Sequence, residues 1–382
     1  MSGRGNDERR GYGHEQGGQG YSEHAITLPA SRYRGAVASP RFGEAVEIAV
    51  GDREVRISSP GKPMWRVGET VITKLDLARY YASVSAALLR ALRDRPTTLQ
   101  RWPDGVLIDG TFGESFYNKH LPKGAPDYVA TAEVTFPSGR TGVQVCPDNP
   151  ETLVWAANLG CVTFHPWPVR RGDVDRPDEL RFDLDPQDGC DFRDAAEVAE
   201  VLRELLSGWG ASPYVKTSGG RGIHVFVAIE PRWEFLDVRH AAIAVGRELE
   251  RRMPDRVTTA WWKEERGERI FFDYNQMARD RTMASAWSVR ARAAAPVSTP
   301  VTWGELPHVD PAHYTLRTVP ALLDADGDPW QRLGEDAFDI TPLLEMWRID
   351  VEERGLGEMP FPPDYPKMPG EPPRVQPSRR AT

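Results

Sequence analysis

Apolar and polar positions over residues 73–95 recur with helical spacing. Leu77, Tyr80, Tyr81, Val84, Leu88 and Leu92 share one face, Thr73 stands where an N-cap belongs and Asp76 falls in the first turn. This spacing predicts one long amphipathic helix. Residues 149–160 read as a second helix stopped by Gly160, followed at once by a strand, Cys161–Pro166, with Val162 and Phe164 on one side and Thr163 and His165 on the other. A third helix, over residues 193–210, turns Val198, Leu202 and Leu205 inward. Strands over 214–218 and 223–229 then flank a glycine-rich turn, a helix covers 236–253, and residues 269–274 form a last short strand. Strands and helices mixed without regular βαβ spacing predict an α+β fold, with helices flanking mainly antiparallel or mixed sheets. The Gly-, Gln- and charge-rich residues 1–28 predict a disordered leader, residues 29–350 the folded body, and residues 351–382 a proline-rich tail that Phe361, Tyr365 and Met368 could dock.

One strand carries charge where the pattern leads one to expect apolar residues. In "RFDLDP", residues 181–186, Phe182 and Leu184 point one way while Asp183 and Asp185 point together the other way. Two ionised carboxylates on one strand face repel each other and resist desolvation, so the pair belongs either in open water or around a cation. Magnesium and manganese ions prefer oxygen ligands, and two such ions can stabilise the attacking and leaving oxygens of a phosphoryl transfer. Asp273 is the third candidate, because Phe272 and Tyr274 can face a core while Phe271 and Asp273 take the other side. An exposed edge strand with polar outward residues would show the same DxD spacing.

Composition sharpens this reading. A formal net charge of −8 opposes a protein that coats nucleic acid with a wholly basic surface, so any such contact is local. The chain has seven lysines, the rest of its 48 basic residues being arginine, which marks each remaining lysine as a place where a compact ammonium is wanted. Three cysteines without CxxC spacing argue against a disulfide framework and a zinc site. With no long apolar run and no secretory signal, the expectation is a cytoplasmic, nucleoid-associated protein with no membrane partner.

A phosphate cradle is suggested beside the acids. "KTSGGRGIHVFV" places Ser218, Gly219, Gly220, Arg221 and Gly222 at a strand end, where backbone N–H groups can approach an anion. His224 opens the next strand on the side opposite Ile223, Val225 and Val227. The same segment also reads as a plain hairpin turn. Neither a GxxxxGK[ST] loop nor a GxGxxG after a strand is present. Arg279, Arg281, Arg290 and Arg292 in "RDRTMASAWSVRAR" either clamp phosphates, Arg290 following a strand-like "AWSV", or solvate a surface.

Taken in order, "QRWPDGV", "FYNKHLPKGAPDY", "LVWAANLG" with "FHPWPVR", "RFDLDP", "KTSGGRGIHVFV", "FFDYNQ" and "WSVRAR" resemble the polymerase domain of bacterial end-joining ligases, in the archaeo-eukaryotic primase superfamily. The resemblance spans roughly residues 55–320. It implies a primase-polymerase fold and a template-dependent nucleotidyltransferase that extends or gap-fills DNA ends, accepts NTPs or dNTPs and uses two Mn²⁺ or Mg²⁺ ions. Asp183, Asp185 and Asp273 would ligate the metal. Ser218, Gly219, Gly220, Arg221, His224, Arg290 and His165 would lie at the nucleotide. Phe116 and Tyr117 would stack near the template, with Arg101, Lys119 and Arg281 on DNA and Lys62 and Lys74 at a downstream 5′-phosphate. Both aromatics read alternatively as core residues. Ser59 and Gln100 depart from the family pattern, which has an asparagine and a basic residue there, and both bear on 5′-phosphate recognition. A KxDG ligase signature is absent, so the resemblance is to a stand-alone polymerase, with a Ku-type end-binding protein and a separate ligase as implied partners. A metal-dependent nuclease and a non-catalytic DNA-end adaptor are the competing readings.

Overall fold

The computed structural model describes residues 42–372. The proposed leader therefore lies outside the described residues, as do the last ten residues of the tail. From the amino end, β1 (Val46–Val50) and β2 (Arg53–Ile57) form an antiparallel hairpin. β3 (Pro63–Val67) and β4 (Thr70–Thr73) lead into the first helices. Where one long helix was expected there are two, α1 (Lys74–Ser83) and α2 (Ser85–Leu92). Thr73 and Asp76 form the expected capping box at the start of α1. The break falls at Val84, where local and distant contacts meet. Ser83 bonds back to the Tyr80 carbonyl at 2.8 Å, a contact that bends helices, while the phenols of Tyr80 and Tyr81 are drawn to the carbonyls of Trp287 and Val162. All six apolar positions of the pattern are nonetheless buried.

β5 (Thr97–Arg101), β6 (Leu107–Ile108), β7 (Thr111–Phe112), β8 (Phe116–Asn118), β9 (Thr131–Thr135) and β10 (Thr141–Val145) follow. α3 (Pro150–Asn158) is capped by Asn149, and Gly160 at φ +79° turns the chain directly into β11 (Cys161–Pro166). A small sheet runs β4-β3-β6-β7, and a five-stranded sheet runs β11-β5-β10-β9 with β8 added against β5.

The third sheet carries the acids. β12 (Glu179–Pro186) is followed by α4 (Phe192–Gly208), β13 (Pro213–Thr217), β14 (Ile223–Ala228), α5 (Phe235–Arg252), β15 (Val257–Thr258), β16 (Ile270–Phe272) and β17 (Pro300–Val301). Its order is β15-β16-β12-β14-β13-β17, antiparallel throughout except for the β15–β16 pair. The alternation read from the sequence holds: Leu180, Phe182, Leu184, Ile223, Val225 and Val227 pack with Val198, Leu202 and Val245 of α4 and α5 in one core. The opposite face meets a second core, built from α1, α2, α3, β5 and β11, and Phe226 of β14 belongs to that one.

Two boundaries differ from expectation. β16 ends at Phe272, so Asp273 is not a strand residue but the N-cap of a 3-10 turn, Tyr274–Met277, and β17 makes β16 the penultimate strand. "AWSV" forms no strand either: Trp287 has φ +63° and only an isolated bridge joins Val289 to Val297. α6 (Val319–Asp326) and α7 (Thr341–Glu352) complete the fold, with α7 along α5. Phe361 of the tail is buried against the body. Among the described residues no helix is long and apolar enough to cross a membrane, and the three cysteines are free.

Candidate active site

The site lies where the polar face of the six-stranded sheet meets the strand β11. Register brings its residues together: Asp183 sits opposite His224 on β14, and Lys216 on β13 sits opposite the same histidine. On the other flank the backbone N–H of Asp273 donates to the Asp183 carbonyl at 3.1 Å, so the chain turn after β16 still delivers Asp273 beside Asp183. The three candidate ligands therefore share one end of the sheet, although Asp273 arrives by a cap rather than by strand alternation.

Their electrostatics show crowded, partly desolvated carboxyls. Burial, then the charges of Asp185 and Asp273, hold the Asp183 carboxyl well above the usual range. Burial raises Asp185 and Asp273 as well, and the Asp185–Asp273 repulsion adds to the Asp185 shift. Each carboxylate also has local donors. Asp185 accepts from Gln187 Nε2 at 3.2 Å, and Asp273 from the Asn275 N–H at 3.0 Å and Gln276 Nε2 at 3.1 Å. Among the described residues, no three His, Cys, Asp or Glu side chains close into a ready-made cage. Lys216 and Arg290 act on Asp183, Arg221 and Arg266 on Asp185, and Arg266 and Arg281 on Asp273, yet burial still holds all three carboxyls high; an all-oxygen donor set of this kind fits a hard divalent ion.

A chain of polar contacts runs behind the acids. Lys216, fully buried, places Nζ 2.6 Å from His224 Nδ1 and 2.5 Å from Ser298 Oγ, and His224 Nε2 lies 3.5 Å from Asp183 Oδ1. Burial first, and Arg290 next, push Lys216 well below its ordinary value. Burial and the Lys216 charge do the same to His224, which is therefore neutral. The His224 ring thus bridges Lys216 at Nδ1 and Asp183 at Nε2. Lys216 was not singled out as a site residue from the sequence. Two signals pointed to it: the scarcity of lysine, and its place on the same strand face as Ser218.

The glycine-rich turn is built against arginine. Gly219 has φ +75°, and a Cβ there would stand 2.4 Å from Arg290 Cγ; at Gly220 it would stand 3.0 Å from an Arg292 nitrogen. At 219 only glycine admits so close an approach. The Ser218 hydroxyl accepts from the Gly220 N–H at 3.2 Å. Arg221, in contrast, directs its guanidinium toward the carbonyls of Cys190 and Pro186, both at 3.3 Å. His165 comes from β11, bonds through Nε2 to Gln100 at 2.9 Å and is lowered to about 3 by burial, Arg290 and Lys216. Gln100, which departs from the family pattern, is thus the partner of His165, a pairing set by the β5–β11 register.

The residues expected on DNA divide into two groups. Phe116 and Tyr117 are not core residues: each is 43% exposed, with Arg101 over the Phe116 ring at 5.0 Å and Tyr117 edge-on to His165 at 5.4 Å. Lys62 and Lys74 stand close enough to repel, and burial, then Lys62, lower Lys74 to about 8. Lys74 Nζ reaches Ser58 Oγ at 3.1 Å, and the Lys62 amine points to the Pro103 carbonyl at 2.5 Å. Ser59, at φ +49°, occupies a backbone conformation that asparagine tolerates better than serine. All these cations have partners within the protein: Lys62 pairs with Asp104 at 3.4 Å, Arg101 donates to the Leu159 carbonyl at 2.9 Å and Asn118 at 3.0 Å, Lys119 pairs with Asp280 at 2.7 Å and Arg281 with Asp364. Arg279 is held by Asp175 at 2.6 Å. Their acidic partners lie far off in sequence, which is why the arginine cluster read as free cations.

Residues 73–330 match a family model described as the LigD primase-polymerase domain. The chain is 35% identical over 262 residues to the multifunctional non-homologous end joining protein LigD of Pseudomonas aeruginosa, a match covering 68% of this chain and 30% of that protein. It is 30% identical over 318 residues to the corresponding protein of Mycolicibacterium smegmatis, covering 82% of this chain and 40% of the relative. A solved structure, the polymerase domain from Mycobacterium tuberculosis ligase D in complex with DNA, superposes with a TM-score of 0.64 at 32% identity, covering 70% of this chain and 93% of that one. The chain spans less than half the length of these two curated relatives.

Proposed function

The chain belongs to the LigD primase-polymerase domain family, and from that premise we propose that it is a template-dependent nucleotidyltransferase acting on DNA ends and gaps. The observation that carries the reading is the gathering of Asp183, Asp185 and Asp273 at one sheet end beside a glycine-rich turn backed by Arg290. Asp183, Asp185 and Asp273 would hold Mn²⁺ or Mg²⁺, two ions in the full site. When bound, such ions lower the pKa of an attacking 3′-hydroxyl and neutralise charge developing in the displacement.

The chain's own residues bind and orient. The Ser218 hydroxyl, oriented by the Gly220 N–H, and the Gly219 backbone face a triphosphate, and the Arg290 guanidinium supplies a positive charge beside them. His224, held at Nδ1 by Lys216, presents its Nε2 edge toward Asp183 and a phosphate oxygen bound beside it. Phe116 and Tyr117 offer stacking faces to unpaired bases, and Lys62 with Lys74 a cationic seat for a 5′-phosphate. NTPs as well as dNTPs are the proposed substrates. Relatives named for non-homologous end joining make a Ku-type end-binding protein and a separate ligase the proposed partners.

The test is extension of a labelled primer on a gapped duplex, with NTP or dNTP, Mg²⁺ or Mn²⁺, and a downstream strand with or without its 5′-phosphate. Growth of the primer by templated nucleotides is expected. Shortening without added nucleotide would identify a nuclease instead, and metal-independent end binding with no change in length an adaptor.

A further inference from the structure

Asp273 is held from behind by a part of the chain that lies beyond residue 330, where the family match ends. Arg239 of α5 is 1% exposed. Its Nη1 pairs with Glu358 at 2.6 Å, its Nη2 donates to the carbonyls of Met359 at 2.9 Å and Pro360 at 3.1 Å, and the Phe361 ring lies 3.7 Å from the guanidinium carbon. The remaining donor, Nε, reaches Asn275 Oδ1 at 2.9 Å. Asn275 Nδ2 in turn donates to the Pro360 carbonyl at 3.0 Å, as does the Tyr274 hydroxyl at 3.3 Å. The backbone N–H of that same Asn275 donates to the Asp273 carboxylate. Buried Glu371 closes the segment on itself, accepting from the N–H groups of Phe361 at 2.9 Å and Met368 at 3.0 Å. Asp364 engages Arg281, and the Tyr365 hydroxyl donates to the Arg279 carbonyl at 2.7 Å.

We propose that residues 358–371 form a clasp that completes the active site, with Glu358 and Arg239 as positioning residues that fix, through Asn275, the turn presenting Asp273. A buried guanidinium whose donors are shared between the clasp and Asn275 has one low-energy arrangement, and that arrangement sets where the Asn275 N–H points. The inference rests on the reading of Asp273 as a metal ligand. Loss of an outer partner of a metal ligand costs roughly 10–100-fold in metal affinity or activity.

The experiment uses the full chain and reads Mn²⁺ binding by electron paramagnetic resonance of the free ion, hydrogen exchange at residues 273–277, and kcat and KM for nucleotide. Glu358→Ala is expected to weaken Mn²⁺ binding roughly tenfold, to speed exchange in the turn and to lower kcat, with KM for nucleotide held within about twofold because Ser218, His224 and Arg290 sit on other elements. Should that variant not melt cooperatively, Glu358→Gln, which retains a hydrogen bond to Arg239, carries the same test with a smaller loss. Lys367→Ala, on the exposed side of the clasp, is expected to match the parent. Wild-type Mn²⁺ binding and exchange in a folded Glu358 variant would overturn the proposal, as would an equal loss in Lys367→Ala. Asp183→Ala separates the two levels. If it abolishes extension while the Glu358 variants change nothing, only the clasp fails; if it extends normally, the reading of the site fails first.

Discussion

On the six-stranded sheet two polar side chains of the site are buried and tied down, Lys216 and His224 being 0% and 5% exposed and bonded to each other, while Asp183 and Asp273 are half-buried and Asp185 is exposed. On the five-stranded sheet, Phe116 and Tyr117 stand 43% exposed on the added strand β8. The first arrangement costs stability, because a desolvated lysine is held out of water beside crowded carboxylates. It suits chemistry, where donors and acceptors must be in place before the reaction. The second suits recognition of a strand whose sequence varies, since every base has a face to stack. One sheet presents charge, the other exposed aromatic faces.

This division is tested most strongly at the acids. Asp183→Ala is expected to lower extension by on the order of 10²–10³-fold while gapped-duplex affinity, measured by fluorescence anisotropy, stays near the parent value. A parallel loss of DNA binding would erase the distinction between the sheets. Next, Arg290→Ala should raise KM for nucleotide roughly 10–100-fold, the loss of a charge-assisted contact of about 1.5–3 kcal/mol, with DNA affinity unchanged. Phe116→Ala has the reverse signature: duplex affinity falls by about 1 kcal/mol, roughly fivefold, and KM for nucleotide holds.

The smallest effect concerns Lys74, whose amine is lowered to about 8 by burial and by Lys62. Below that pH the ammonium is charged and can meet a 5′-phosphate; above it the charge is lost. A few-fold stimulation of extension by a downstream 5′-phosphate should therefore be present at pH 7 and shrink as pH rises through about 8. Lys74→Arg, charged over this whole range, should keep it at pH 9. A stimulation that does not change between pH 7 and 9 in the parent would remove Lys74 from phosphate recognition.

What was legible in the sequence follows the range of the interactions. Alternation along β12 and β14 placed Asp183, Asp185 and His224 on one face, because strand geometry is local. The break at Val84 was not legible, since it depends in part on Trp287 and Val162 drawing two tyrosine hydroxyls from elsewhere in the chain. Asp273 was found by treating residues 269–274 as a strand; the strand stops one residue short, yet the hydrogen bond to the Asp183 carbonyl keeps the carboxylate in place. Lys119 and Arg281 read as DNA-facing cations because Asp280 and Asp364 are 161 and 83 residues away from them. Gln100 looked like a lost basic residue, and only the pairing of β5 with β11 shows it holding His165.

The central claim is that Asp183, Asp185 and Asp273 act as one ligand set, and anomalous scattering at the manganese edge tests it most directly, from crystals grown with Mn²⁺, a gapped duplex and a non-hydrolysable nucleotide. The expected result is manganese density in contact with carboxylates from all three residues, beside the 218–222 turn. Density bound by Asp183 and Asp185 with Asp273 turned away, or no density between them, would contradict it.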